Sequence, residues 1–171
     1  LKELGHTPEV FVYGKSSEVF EHAGIRIERC PPQHNLKIRL LDRLARRLLK
    51  NSKEPFVEAL GYSWGAEKFL RRRHSSSPFD LIHYTHLNGS GVFLRRSIPS
   101  VVRLSSFRDL WLEHGFVQNP AHIYGEDRSI RRAHGLISPS NWVGAYVSEK
   151  FARPVEVIES PFVPTARHPD D

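Results

Sequence analysis

Residues 126–164, EDRSIRRAHGLISPSNWVGAYVSEKFARPVEVIESPFVP, decide the fold reading. A polar helix is expected over 126–133, running into a short apolar strand over 135–138. That strand stops at Ser138-Pro139-Ser140-Asn141, and a second helix is expected over 142–151. Another short strand, 155–158, leaves through Ser160-Pro161 into a Pro-rich tail. In open α/β sheets a strand that ends in small hydroxyl and amide residues at the start of a helix builds a ligand-facing loop.

Working outward, six strand candidates recur along the chain: 9–13, 25–28, 80–84, 101–104, 135–138 and 155–158. Each is short, rich in Val, Ile or aromatics, and apolar throughout rather than alternating, as in a parallel sheet covered on both faces. The alternation with helical segments predicts right-handed βαβ units and a layered α/β domain. Expected helices include 16–23, with Gly24 as its stop, and a short one over 91–96. Residues 110–125 read as irregular with a helical start. Pro55 suits the first position of a helix running through Phe56, Leu60, Trp64 and Phe69. Over 36–50, Leu36, Leu40, Leu44 and Leu48 form one stripe, widened by Leu41 and Leu49, opposite Arg39, Arg43, Arg46 and Lys50.

At 171 residues the chain is long enough for one domain with a true core. No apolar run approaches the roughly 18 residues of a spanning helix. The opening Leu-Lys-Glu-Leu-Gly-His reads as the last turn of a longer helix, because a lone turn does not nucleate in water. The expectation is therefore a domain over 1–164, incomplete at its start by one strand and most of one helix. Residues 165–171 would begin an interdomain linker. The single Cys30 forms no internal disulfide and no zinc cluster, and it is expected to be a buried apolar residue in a reducing, cytoplasmic setting.

The net charge of +6 is local. Residues 36–53 hold seven basic residues (Lys37, Arg39, Arg43, Arg46, Arg47, Lys50 and Lys53) against the single acid Asp42, a surplus equal to that of the whole chain. The partner implied by charge thus meets one region. A solvated helix face and contact with anionic lipid through Arg39, Arg43, Arg46, Arg47 and Lys50 are both compatible with it. The basic stretches lack the interleaved aromatics of single-strand binders, so nucleic acid is not expected as a partner.

Ligands of an open parallel sheet sit beyond the carboxyl ends of its strands. After 80–84 come Thr85, His86, Asn88, Gly89, Ser90 and Gly91. After 101–104 come Ser105, Ser106 and Arg108, with Arg103 near the strand end. After 135–138 come Ser138, Ser140 and Asn141. The backbone of the Gly-rich His86–Gly91 loop suits an anion or a sugar hydroxyl, and a histidine there, His86, is a candidate donor or proton shuttle. His83, inside its strand, is expected to be a packed core residue. The pair His83 and His86 would not aim both rings at one metal, so no metal site is expected. Arg103 offers a planar fork to a phosphate or carboxylate, and Ser140 is placed to cap the following helix. Signatures of the dinucleotide fold, the P-loop and the hydrolase elbow are missing.

These segments resemble the GT-B fold glycosyltransferases of family 4. LKELGHTPEVFVYG is similar to the end of their first helix and their second strand. FDLIHYTHLNGSG resembles their D-[IV]-[IV]-H strand with its His loop. Glu126 through AHGLISPSNWVGAYV follows their order of an acid, an Ala, an apolar strand, a Ser and a helix. PVEVIESPFVP resembles the last strand and crossover, with Ser160-Pro161 where many members have Asn-Pro or Asn-Gly.

The resemblance implies a Rossmann-like three-layer domain with a mostly parallel sheet, forming half of a GT-B fold with its first strand missing. It implies the acceptor-binding half of a retaining glycosyltransferase, a hexosyl- or related transferase inactive as this piece alone. The acceptor would be a glycan, a lipid-linked glycan or a small molecule, as in polysaccharide biosynthesis. This half would bind no cofactor. A C-terminal domain of the same protein would hold a UDP-, GDP- or ADP-sugar. His86 falls where members place a loop histidine near the reacting sugar. Asn88, Gly89, Ser90, Arg103, Ser105, Ser106, Ser140 and Asn141 would line the acceptor side. Ser105-Ser106 replaces the histidine many members carry in that loop. Members docking on membranes through basic helices imply a peripheral, membrane-associated enzyme. The alternative is a non-catalytic α/β module that holds an anionic membrane or a protein through its basic helix.

Overall fold

A computed structural model describes residues 1–33, 36, 38–40, 43, 56–105, 111, 114–115 and 120–159. Among these, seven strands form two sheets. The first holds β1 (Glu9–Tyr13), β2 (Glu18–His22) and β3 (Ile25–Cys30) in the order β1-β3-β2. The second holds β4 (Ile82–Thr85), β5 (Ser100–Arg103), β6 (Gly135–Ser138) and β7 (Glu156–Val157) in that order. The helices whose bounds fall among the described residues are α1 (Phe56–Ser76), α2 (Pro120–Arg132) and α3 (Asn141–Phe151). The second sheet is parallel throughout and flanked by helices, so the domain is α/β and Rossmann-like.

Parallel pairing also joins β1 to β3, from Glu9↔Arg26 to Tyr13↔Cys30. The helix expected over 16–23 is instead β2, antiparallel to β3. Gly24 does not stop a helix. Ala23 (φ 49°) and Gly24 (φ 72°) are the two left-handed residues of the β2–β3 hairpin turn. Residues 91–96, expected as a helix, are turn and coil. Conversely, α2 begins at Pro120, earlier than residue 126, and takes in part of the stretch read as irregular.

The core of the second sheet lies between its apolar strands and the helices. Val102, Leu104, Ile130 and Val147 are completely buried there, with Leu136, Val143 and Phe151 around them. Ser140 caps α3, its hydroxyl accepting the Val143 N–H at 3.3 Å. Arg153, just past α3, donates to the carbonyls of Ile130 (2.7 Å), Ala133 (2.8 Å) and His134 (3.0 Å), closing the end of α2. Cys30 is buried, and Gln33 Nε2 lies 3.2 Å from its sulfur.

Helix α1 lies across both sheets. At its C-terminal end Arg73 Nε donates to Glu9 Oε2 at 2.9 Å, and a second bond joins the same two side chains. Phe69 stacks on Phe11 with centroids 4.9 Å apart, and Tyr62 meets Tyr13 at 4.3 Å. On the other sheet His74 Nδ1 accepts the Phe79 N–H at 2.9 Å, and the Ser63 hydroxyl donates to Ser90 O at 2.9 Å. The starts of β1 and β4 are thus both near the end of α1, and their finishes near its beginning. β1 and β4 run the same way, yet among the described residues no pairing joins them.

Of the basic helical segment, Leu36, Ile38, Arg39, Leu40 and Arg43 are described, and all five are helical. The leucine stripe does not face the core there. Leu36 is 76% exposed and Leu40 52%, whereas Ile38 is 1% exposed and packs with Leu60 and Val92. Ile38 lies about 200° around the helix from either leucine, so the buried side is the one opposite the expected stripe. Arg39 and Arg43 are exposed. Leu41, Leu44, Leu48, Leu49, Arg46, Arg47, Lys50 and Pro55 lie outside the described residues.

The Arg73–Glu9 contact makes stability depend on pH. The hydrogen bonds from Arg73, opposed by burial and aided by its charge, hold the Glu9 carboxyl below its ordinary value of 4.5. A carboxylate with a depressed folded-state pKa stabilises above its unfolded pKa, and the contribution is lost as pH falls through the folded value. Glu9→Gln should therefore lower urea-unfolding stability by about 1 kcal/mol at pH 7, solvent limiting the pair's strength. The difference from the parent should shrink towards zero below the carboxylate range. A second expectation concerns Gly89, whose φ is +69° and whose added Cβ would sit 3.1 Å from Gly125 Cα. Gly89→Ala should cost about 1–3 kcal/mol in the same measurement.

Candidate active site

Register sets out one rim. Thr85, Arg103, Ile137 and Glu156 are successive partners across β4, β5, β6 and β7. The residues that follow them leave the sheet on the same side. His86 and Ser140, on the loops of β4 and β6, are separated by one strand, about 10 Å of sheet. The strand ends therefore do bring the predicted loops to a common edge. Asn88, Arg103, Ser105 and Asn141 are exposed there, and Ser90 and Ser140 are half-buried. Ser106 and Arg108 lie outside the described residues.

The loop after β4 is a 3-10 turn, Leu87–Gly89, with Asn88 (φ 56°) and Gly89 (φ 69°) both left-handed. Asn supports that conformation with a short polar side chain, and Gly has no Cβ to clash. Gly89 has a further reason to be Gly, because α2 passes close against it at Gly125. The backbone donors of this loop bond within the protein. Leu87 N–H reaches Thr85 Oγ1 (3.3 Å), Asn88 N–H reaches Glu126 Oε1 (3.4 Å), and Gly91 N–H reaches Ser129 Oγ (3.0 Å). Gly89 N–H and Ser90 N–H bond to His86 O and Leu87 O. An anion cradled by these N–H groups, as the glycines suggest from sequence, would have to displace those bonds. The loop instead presents side chains, foremost Asn88.

Two buried polar side chains of α2 are not among the site residues expected from the sequence. Glu126 is completely buried and His122 nearly so, one turn apart on α2. Their i, i+4 spacing is visible in the sequence once α2 starts at Pro120. His86 is also completely buried, beneath the turn it precedes and not beside solvent. Ser129 Oγ donates to Gly125 O at 2.8 Å as it accepts from Gly91. The Tyr84 hydroxyl donates to Ser129 O at 3.1 Å, and burial pushes that phenol up to about 12. The β4 loop thus rests on a polar layer supplied by α2.

The β6 loop is stiffened in a similar way. The buried Ser138 hydroxyl donates to Ser140 O at 2.8 Å and accepts the Ser140 N–H at 3.3 Å. With Ser140 Oγ capping α3, Asn141 is the exposed polar group of this loop. His83 departs from expectation. It is exposed rather than packed in a core, because β4 is an edge strand and His83 lines the groove beside it. Among the described residues no three His, Cys, Asp or Glu are grouped to hold a metal ion. No helix among them is long and apolar enough to cross a membrane.

A family model described as a glycosyl transferase 4-like domain matches residues 1–161. No curated protein and no solved structure gives a significant match. Such a domain is part of a glycosyltransferase, whose substrates are a sugar acceptor and a nucleotide-sugar donor. Nearly the whole chain lies within the match, and its parallel sheet gathers its loops at one rim as that fold requires; the chain belongs to the glycosyl transferase 4-like family, as an N-terminal unit of GT-B type.

Proposed function

We propose that the rim above β4, β5 and β6 binds the acceptor of a retaining sugar transfer. The observation that carries this is the shared register of Thr85, Arg103 and Ile137, which sets three loops side by side. Asn88, Arg103, Ser105 and Asn141 are exposed polar groups of that edge, and Ser106 belongs to the same proposed set. Amide and hydroxyl side chains suit sugar hydroxyls, and the Arg103 fork suits an anionic group on the acceptor. A second α/β domain of the same polypeptide would bring the nucleotide-sugar, a UDP-, GDP- or ADP-sugar, against this edge. Catalysis would then rest on positioning and on stabilising an oxocarbenium-like state in the closed cleft.

His86 keeps a part in this proposal, with a changed route. A completely buried ring reaches a substrate only if the Leu87–Gly89 turn moves, so its first effect is to set the turn that carries Asn88. In the two-domain enzyme, His86→Ala should lower kcat by about 10²-fold, and an unchanged kcat would remove it from the mechanism. Asn88→Ala and Arg103→Ala, at exposed positions, should raise the acceptor KM about tenfold, one hydrogen bond to a charged or sugar group being worth roughly 1.5 kcal/mol. Asn88→Ala should also lower the melting temperature, because Ala takes the left-handed φ of 56° less readily than Asn, so both KM values are compared at a temperature where the variants stay folded.

A second reading accompanies the first. Exposed Leu36 and Leu40 beside exposed Arg39 and Arg43 form an apolar and basic surface suited to anionic lipid, and Arg46, Arg47 and Lys50 would extend it. This supports a peripheral enzyme acting on a lipid-linked acceptor at the cytoplasmic face of a membrane. Each basic residue near such a surface contributes about 1 kcal/mol. Replacing Arg39 and Arg43 by Glu should weaken binding to phosphatidylglycerol-containing vesicles by at least about 30-fold in a sedimentation assay. Vesicle binding that is absent in the parent at low salt would eliminate this reading. The rival of a non-catalytic module loses if the polypeptide hydrolyses or transfers a nucleotide-sugar, and prevails if no donor domain accompanies this one.

A further inference from the structure

Among the described residues the exposed Trp, Tyr and Phe side chains are Tyr13, Trp111, Tyr124 and Trp142. All four belong to the rim side of the molecule. Tyr13 is the last residue of β1, and Trp142 is the second of α3, which starts from the β6 loop. Trp111 lies in the connection that leaves β5 and returns to α2 on that side. Tyr124 is in the first half of α2, which runs back towards the start of β6. Exposed large apolar side chains away from the rim, such as Val19 and Leu81, are aliphatic. An isolated exposed ring is ordinary on a protein surface. Confinement of all of these rings to one end is a pattern that calls for a cause.

Trp142 directly follows Asn141, an exposed amide of the rim, and is 61% exposed. Its direction follows from the faces of α3. Val143, Gly144, Val147 and Phe151 are buried and mark the inner face. Lys150, eight residues after Trp142 and within a quarter turn of it around the helix, binds Asp127 of α2 at 3.2 Å. Trp142 therefore lies on the flank of α3 that faces α2, two turns rimward of that ion pair. Tyr124, one turn ahead of Asp127, lies on the matching flank of α2. The Ser140 cap fixes the backbone beneath the ring.

We propose that Trp142 is a stacking platform for a pyranose ring of the acceptor, an aromatic subsite beside the amide of Asn141. The proposal rests on the acceptor reading of the rim and narrows it to acceptors that carry a ring sugar at this point. One face of a pyranose presents C–H groups of partial positive charge, and the face of an indole is the negative pole of its quadrupole. The hydroxyls around the ring edge stay free to meet Asn141 and, on the neighbouring strand, Arg103. Hydrogen bonds alone do not separate a ring from an open-chain polyol with similar hydroxyls. The flat platform does, which gives Trp142 a part in specificity distinct from that of Asn88 and Arg103.

The test is a titration of the whole polypeptide, nitrogen-15 labelled in its indoles, with methyl α-glucopyranoside, methyl β-galactopyranoside and methyl α-mannopyranoside. Glucitol is the open-chain control, and the signal lost in Trp142→Phe is that of the Trp142 indole. At least one pyranoside should shift this signal, and glucitol should not. Trp142→Ala should weaken binding of that pyranoside about tenfold. Phe, which keeps an aromatic face, should restore it to within about threefold of the parent. A Trp142 signal that no pyranoside moves, an equal shift with glucitol, or an alanine variant that binds as the parent does overturns the proposal. So does an indole N–H of Trp142 shielded from solvent exchange before any sugar is added, which would assign the ring to a contact within the protein. The two readings fail separately. Pyranoside binding that depends on Asn88 and Arg103 but not on Trp142 refutes the platform and leaves the acceptor rim. Binding that depends on Trp142 but on neither of the others leaves the platform and refutes an acceptor laid across the rim.

Discussion

One helix holds two sheets that, among the described residues, share no backbone pairing. α1 reaches β1 through Arg73, Phe69 and Tyr62, and the β4 side through His74 and Ser63. Polar bonds lie at both ends of this seam and aromatic contacts between them. Apolar burial sets how closely the sheets approach, while the fixed directions of the ionic and hydrogen bonds set their relative orientation. The buried Glu67, bound by Arg95 at 2.8 Å and by Arg71 at 3.5 Å, adds a tie of the same kind from α1 to the segment before β5. The common direction of β1 and β4 depends on this helix staying in place, whereas the rim above β4, β5 and β6 is set by that sheet's own ladder.

At that rim, rigidity and exposure are divided between layers. The backbone of the β4 loop is bonded to Thr85, Glu126 and Ser129, and the β6 loop to its own serines. Above these bonds, Asn88 and Asn141 are exposed. Loops held from beneath present polar groups with little ordering left to do, which is the economical arrangement for recognising a hydroxyl-rich molecule. Tyr13 contributes at the groove side, where burial, partly offset by a hydrogen bond with Ser90, keeps its phenol protonated with a pKa raised to about 12.

Much of this is legible in the amino acids, and the failures have physical causes. The strands of the parallel sheet are short apolar runs whose turn residues mark their ends, so β4, β5 and β6 fall within a residue or two of expectation. Ser140 is recognisable as a cap because capping is local. The β2 hairpin reads wrongly as a helix because Glu18–His22, EVFEH, carries no period long enough to separate helix from strand, and Gly24 ends either. The leucines of 36–40 mislead in another way. A wheel identifies faces, but Ile38 occupies the core because Leu60 and Val92 meet it there, and those partners are distant in sequence. Expecting His83 in a core assumes that its strand has neighbours on both sides. Glu126 is legible as the acid of a helix but not as a buried support of the β4 loop, because its burial depends on the segment around Asn88, far earlier in the chain. Pairing and burial between remote segments are tertiary facts that local pattern does not carry.

The fork of Arg153 has a consequence for how the chain opens. By gripping the carbonyls of Ile130, Ala133 and His134, it clasps the polypeptide into a ring that contains β6 and α3. A ring shut by three bonds at one guanidinium does not fray from its ends. α2's last turn, β6 and α3 should therefore loosen together, as a single foldon, and a lysine, with a point charge in place of a planar fork, could not span all three acceptors.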